Sequence, residues 1–129
     1  MVTAPAIPSL NGLATRGDLK LVVFRAGCSY RQRLEALLAR RGLVGLRLLE
    51  FGTLDAIIGC IAAGIGLSLL PRAVVAQAAE AGRVRIHDLP AADAQVETVF
   101  VSRAGAYRSP ALGAFLDLGS ASASADLAA

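Results

Sequence analysis

The sequence predicts an α/β domain in which a mostly parallel sheet is flanked by helices, and two observations carry that expectation. The first is LKLVVF at residues 19–24, a continuous apolar and β-branched run of the kind buried on both faces of a sheet. The second is that a glycine turn, a hydroxyl residue and a helical apolar stripe follow this run, and that the same succession recurs from residue 46. Two strand-turn-helix units in a row imply parallel strands joined by right-handed crossovers.

Residues 1–18, rich in Pro, Gly, Ala and Thr without periodicity, read as a lead-in loop. After the strand at 19–24, Gly27 permits a sharp turn and Ser29 is placed as the cap of a helix. Leu34, Leu37 and Leu38 form the inner stripe of that helix, Arg33, Glu35 and Arg40 point away, and Gly42 ends it. LRLLEF at 46–51 is the second strand, Gly52 its turn, and Thr53 the cap of a helix reaching about Ala63. GLSLLP at 66–71 is a third buried strand, with Pro71 suited to the first turn of a helix running to about Ala81. VRIHDL at 84–89 and VETVFVS at 96–102 are further strands. Ser109-Pro110 opens a short last helix, ALGAFLDL, and residues 119–129 form a flexible tail.

At 129 residues the chain has the length of one domain and can bury a sizeable core. Hydrophobic residues make up 55% of it and the mean hydropathy is +0.58, which suggests apolar faces covered by another lobe or chain. Lipid is not the expected cover. The uncharged stretch Ala56 to Leu70 spans about 15 residues, is broken by glycines and falls short of a bilayer. MVTAPAIPSLNGLATRGD lacks the pattern of a secretory signal, so a soluble, cytoplasmic protein is expected, with no membrane partner. The net charge of +3 comes from scattered arginines without a basic run or a helix-turn-helix pattern, which gives no support to nucleic-acid binding by this segment. Cys28 and Cys60 stand far apart without a Cys/His cluster, so neither a metal site nor a cofactor is expected.

In an open α/β sheet ligands gather where strands end and helices begin, which selects the turns at 26–30 and 51–54. Each presents a hydroxyl, Ser29 or Thr53, and unpaired N–H groups at a helix N-terminus, an arrangement that favours a carboxylate or another anion. Both hydroxyls are expected to cap their helices, with ligand contact in addition to that role. Arg31 lies in a first turn that disfavours a cation; a solvated surface arginine is the simpler reading, with a carboxylate partner or a bound anion as the alternative. Cys28 lies close to Arg25 and Arg31, which favours a thiolate, yet no resolving cysteine follows closely, so packing is preferred over redox chemistry. No G-x-S-x-G elbow accompanies Ser29, the lone His87 sits in a strand, and Gly64-Ile65-Gly66 reads as a helix stop and tight turn. No enzyme is expected.

The runs VVFRAGCSYRQRLEALLARRG, LLEFGTLDAIIGCIAAGIGLSLLPRAVV and ETVFVSRAGAYRSPALGAF resemble the C-terminal part of the effector-binding domain of LysR-type transcriptional regulators, over roughly residues 10–118. AAGIGLSLLP is the most specific piece. The resemblance implies a periplasmic-binding-protein-like fold of type 2, in which two lobes close around a small effector. It implies that 19–95 form the second lobe, and that 96–118 supply a crossover strand and terminal helix. Gly27, Cys28, Ser29, Tyr30, Gly52 and Thr53 would line the effector cleft. Peroxide-sensing members carry a reactive cysteine in a turn like that of Cys28, but leucine, at Leu37, stands where their second cysteine would fall.

A full regulator of that kind also has a winged helix-turn-helix, a linker helix and a first lobe, none of which precedes Met1. A truncated or excised, incomplete domain is therefore expected, contacting DNA only through the missing N-terminal part and self-associating through its uncovered faces. The expected function is sensing of a small carboxylate or other anion by population shift. The alternatives are a fragment of an extracytoplasmic solute-binding protein of the same fold and, on Cys28 alone, a thiol redox protein.

Overall fold

The computed structural model describes residues 1–15, 18–96 and 99–126, divided into two compact units, Met1–Gln95 and Val96–Ala129. In the first unit the expected strand 19–24 is β2, Lys20–Phe24, paired in parallel with β3, Arg47–Phe51, so that Lys20 faces Arg47 and Phe24 faces Phe51. Between them runs α1, Ser29–Ala39, and after β3 comes α2, Leu54–Ala62. The two-residue side-chain period of a strand divides β2 between two cores. Leu21 and Val23 join Leu34, Leu37 and Leu38 of α1 in one apolar cluster. Val22, fully buried, joins Ile57, Ile58 and Ile61 of α2 in the other, together with Val75 and Ala78 of α3, Arg72–Glu80. Helices thus cover both faces of the strand. Each Leu or Ile side chain fully buried in this way contributes about 1.5–3 kcal/mol.

The third strand expected at 66–71 is reduced to paired contacts at Leu67 and Ser68, which nevertheless join the sheet together. Leu67 donates to the Lys20 carbonyl at 3.1 Å and accepts from Val22 at 2.9 Å, a parallel arrangement. Ser68 exchanges bonds of 2.8 and 3.0 Å with Val2, antiparallel. Val2–Thr3 is β1, which pairs antiparallel with β4, Arg85–Ile86. Residues 67 and 68 thus link two two-stranded sheets, β2–β3 parallel and β1–β4 antiparallel, in place of the one mostly parallel sheet expected, and the strand expected over 84–89 shrinks to two residues.

The lead-in loop expected over 1–18 is corrected. Met1, Val2, Thr3, Ala4, Ile7 and Leu13 are buried, and a 3-10 helix spans Leu10–Thr15. Such a short strand carries no periodicity to read; it is fixed by its pairing with Ser68 and β4. A short helix, α4 at Ala91–Ala94, was also not expected; Arg33 holds it by donating to the carbonyls of Asp93 and Gln95, and Arg40 by an ion pair to Asp93.

In the second unit, residues 96 and 99–102 form no strand, and 97–98 of the strand expected there lie outside the described residues. The terminal helix, α5, runs over Pro110–Asp126, well past Leu118. The Ser109 hydroxyl accepts from the Leu112 N–H at 3.2 Å and so caps it. The flexible tail expected from residue 119 is thus helical as far as 126, and 127–129 lie outside the described residues. Gly119 does not break the helix, because its bare Cα accommodates the ring of Phe100: a Cβ there would stand 2.8 Å from that ring. Phe100 also meets Phe115 edge to face, with centroids 5.7 Å apart.

The Gly64-Ile65-Gly66 turn is steric in origin. Gly64 ends α2 at φ 75°, a left-handed conformation suited to glycine, while a Cβ on Gly66 would stand 2.3 Å from the Lys20 carbonyl oxygen. Gly66→Ala should therefore destabilise the protein by about 1–3 kcal/mol or more, by forcing Leu67 off β2. Gly59→Ala, inside α2 where a Cβ meets nothing within 4 Å, should stabilise by about 0.5–1 kcal/mol through helix propensity. Urea unfolding of both variants checks the pair, and equal effects would contradict the steric account.

Candidate functional site

The ends of β2 and β3 lie side by side, so the turns that follow them meet at one edge of the first unit. After β2, Gly27 turns the chain at φ 98°. Cys28 is then extended, and its carbonyl accepts from the N–H groups of Arg31 and Gln32 at 3.2 and 3.4 Å. The helix cap is therefore Cys28 and not Ser29, and no side chain caps this end. Ser29 becomes the first helical residue, exposed, with its hydroxyl unpartnered among the described residues. The glycine turn comes one residue earlier than the hydroxyl signal suggested. The N–H groups of Ser29 and Tyr30 find no acceptor among the described residues.

After β3 the cap expected at Thr53 is present. Its hydroxyl accepts from the Ala56 N–H at 3.4 Å and its carbonyl from Ile57 at 3.3 Å. The two helix ends differ in charge: α2 carries Asp55 in its first turn, which already answers its positive end, whereas α1 has no acidic residue there. Gly27, Ser29, Gly52 and Thr53 are exposed at this edge and Cys28 is half-buried with a free thiol. Tyr30 is drawn away from the turn, its ring packed against the cluster under α1. Cys60 is half-buried against the core below α2.

Arg31 is not the solvated arginine of the simpler sequence reading but has carboxylate partners. Its Nη1 donates to Glu50 at 2.6 Å and its Nε to Glu35 at 3.2 Å, bonds that hold the guanidinium pKa above its ordinary value. The pair with Glu50 ties the first turn of α1 to the end of β3. Arg25 stands apart, exposed and with no carboxylate partner among the described residues. Its guanidinium lies over Gly52, where a Cβ would sit 3.6 Å from Nη2. One cation is thereby placed across both turns. Sequence reasoning had treated Arg25 only as a neighbour of Cys28; the in-register pairing of Phe24 with Phe51 is the signal that places residue 25 beside residue 52.

Away from this edge, His87 bonds through Nε2 to the Thr3 hydroxyl at 2.7 Å. Among the described residues no group of His, Cys, Asp and Glu could hold a metal ion, and no helix is long and apolar enough to cross a membrane.

Residues 1–123 match the family described as LysR substrate binding domain. The HTH-type transcriptional regulator GltR of Bacillus subtilis is 41% identical over 116 residues, covering 90% of this chain and 39% of the relative. YusT, an uncharacterized HTH-type transcriptional regulator of the same organism, is 40% identical over 117 residues, covering 91% and 39%. CzcR of Bacillus anthracis, also named an HTH-type transcriptional regulator, is 35% identical over 96 residues, covering 74% and 33%. The chain therefore spans about two fifths or less of the length of these relatives. No solved structure matches. With the glycine-bounded AAGIGLSLLP segment and the paired turns in place, the match over nearly the whole chain settles its kinship: this protein belongs to the LysR substrate-binding-domain family.

Proposed function

We propose that this chain is the effector-responsive part of a LysR-type transcription regulator, and that its effector is a small carboxylate or similar anion. The family match over residues 1–123, with relatives named as HTH-type transcriptional regulators, carries the regulatory half of this reading. It does not favour a solute-binding protein. The unpartnered Arg25 over Gly52, with the free N–H groups of Ser29 and Tyr30 beside it, supports the anionic half.

In this reading Met1–Gln95 is the second lobe of a type 2 periplasmic-binding-protein-like domain, and Gly27, Cys28, Ser29, Gly52 and Thr53 border its cleft. Tyr30 contributes its backbone. A first lobe would supply the facing wall, and effector binding would bias closure in proportion to its differential affinity for the closed state. DNA contact belongs to the helix-turn-helix part that the relatives' names indicate. Exposed Val99, Val101, Tyr107 and Leu118 in the second unit support apolar contact with another lobe or copy. The relatives' names as transcriptional regulators support a non-enzymatic reading.

Two measurements test it. Titrating the chain with acetate and with sulfate should move the amide NMR signals of Ser29 and Tyr30, and Arg25→Gln should weaken that response about tenfold or more. Signals that do not move, or that move equally in the variant, would sink the anion reading. Separately, Ser29→Ala should change stability by less than about 0.5 kcal/mol, because Ser29 caps nothing. Thr53→Ala should cost about 1 kcal/mol. Thermal unfolding of the two variants gives the comparison.

A further inference from the structure

A cleft of about 590 Å³ opens beyond the C-terminal end of α1, the end away from the Gly27–Tyr30 turn. The helix is 11 residues long, so roughly 16 Å separates the two places. The volume suits a small molecule. Part of its wall is aliphatic: Leu10, Leu13, Leu38 and Leu43 contribute to it, with Leu13 and Leu38 2% and 1% exposed and so held by the core.

Five polar residues share that wall: Ser9, Asn11, Arg41, His87 and Asp88. Asp88 at the rim is ion-paired to Arg72. The Arg41 guanidinium has no partner among the described residues. His87 is more informative. The Thr3 hydroxyl lies 3.1 Å from the Ala4 carbonyl and 2.7 Å from Nε2 of His87, and with its hydrogen on the carbonyl the tautomer assigned to His87 is the one in which Nε2 carries the proton and donates. Burial lowers the pKa of the ring, which keeps it neutral near pH 7. Its Nδ1 is then a bare acceptor without a partner among the described residues.

We propose that this cleft is a second small-molecule site, taking a short aliphatic carboxylate that carries a hydrogen-bond donor on the carbon beside the carboxylate. The carboxylate meets Arg41, the donor meets Nδ1 of His87, and the hydrocarbon lies on the leucine wall. Asp88, although paired, disfavours a second negative charge on the ligand. A hydroxy acid and an amino acid share this chemistry and differ in charge.

Amide NMR titrations of the full chain with leucate, L-leucine and isocaproate test the proposal. Leucate, L-leucine or both should shift the signals of Asn11, Arg41 and His87 while leaving Ser29 and Tyr30 in place, and which of them binds tells the hydroxy acid from the amino acid. Isocaproate, which has the tail and carboxylate but no donor, should bind about fivefold more weakly. Arg41→Gln, at an exposed position, should keep the unliganded spectrum and lose about tenfold or more in affinity. The proposal is overturned if neither leucate nor L-leucine binds in the millimolar range, if isocaproate binds as well as they do, or if the shifts fall on Ser29 and Tyr30 instead.

Discussion

The first unit depends on a central strand buried on both faces. Because Leu21 and Val23 point to one side of β2 and Val22 to the other, the five residues of that strand belong to two apolar clusters at once. Neither α1 nor α2 with α3 could bury its inner stripe without it. Backbone bonds extend the constraint sideways: Leu67 bonds to β2, Ser68 to Val2, and β1 to β4. Gly66 is where these demands meet. The chain leaving α2 must pass so close to the Lys20 carbonyl that no side chain fits, and the second glycine of the Gly64-Ile65-Gly66 turn is a packing requirement.

The same frame explains how well the sequence could be read. Periodic features came through, because a helix stripe such as Leu34, Leu37 and Leu38 or an unbroken run such as LKLVVF encodes its own burial. Features defined by pairing did not. β1 is two residues long and is made a strand by Ser68 and Arg85, which are distant in sequence. Residues 119–126 look like a tail by composition, yet alanine and serine tolerate a helix, and Phe100 fills the space at Gly119.

At the candidate site the two turns were legible and their chemistry was partly misassigned. Ser29, two residues after Gly27, resembles a cap, but Gly27 completes the turn early enough for the intervening Cys28 to take that position. Thr53 follows Gly52 directly and caps as its sequence suggests. Tyr30 was placed at the turn by its neighbours in the chain and is claimed by the core instead. Arg25 required strand register, a relation between residues 25 and 52 that no local pattern contains.

The tie between Arg31 and Glu50 has a consequence for how this edge could diversify. With Arg31 answered by Glu50 and Glu35, and Asp55 already occupying the positive end of α2, Arg25 is a cation of this rim without a carboxylate partner among the described residues. A related chain with a neutral or acidic residue there would keep both turns, both helix ends and the cross-link between them, yet present the opposite preference to an incoming molecule. Selectivity for charge could then drift by single substitutions without disturbing the framework that holds the turns together.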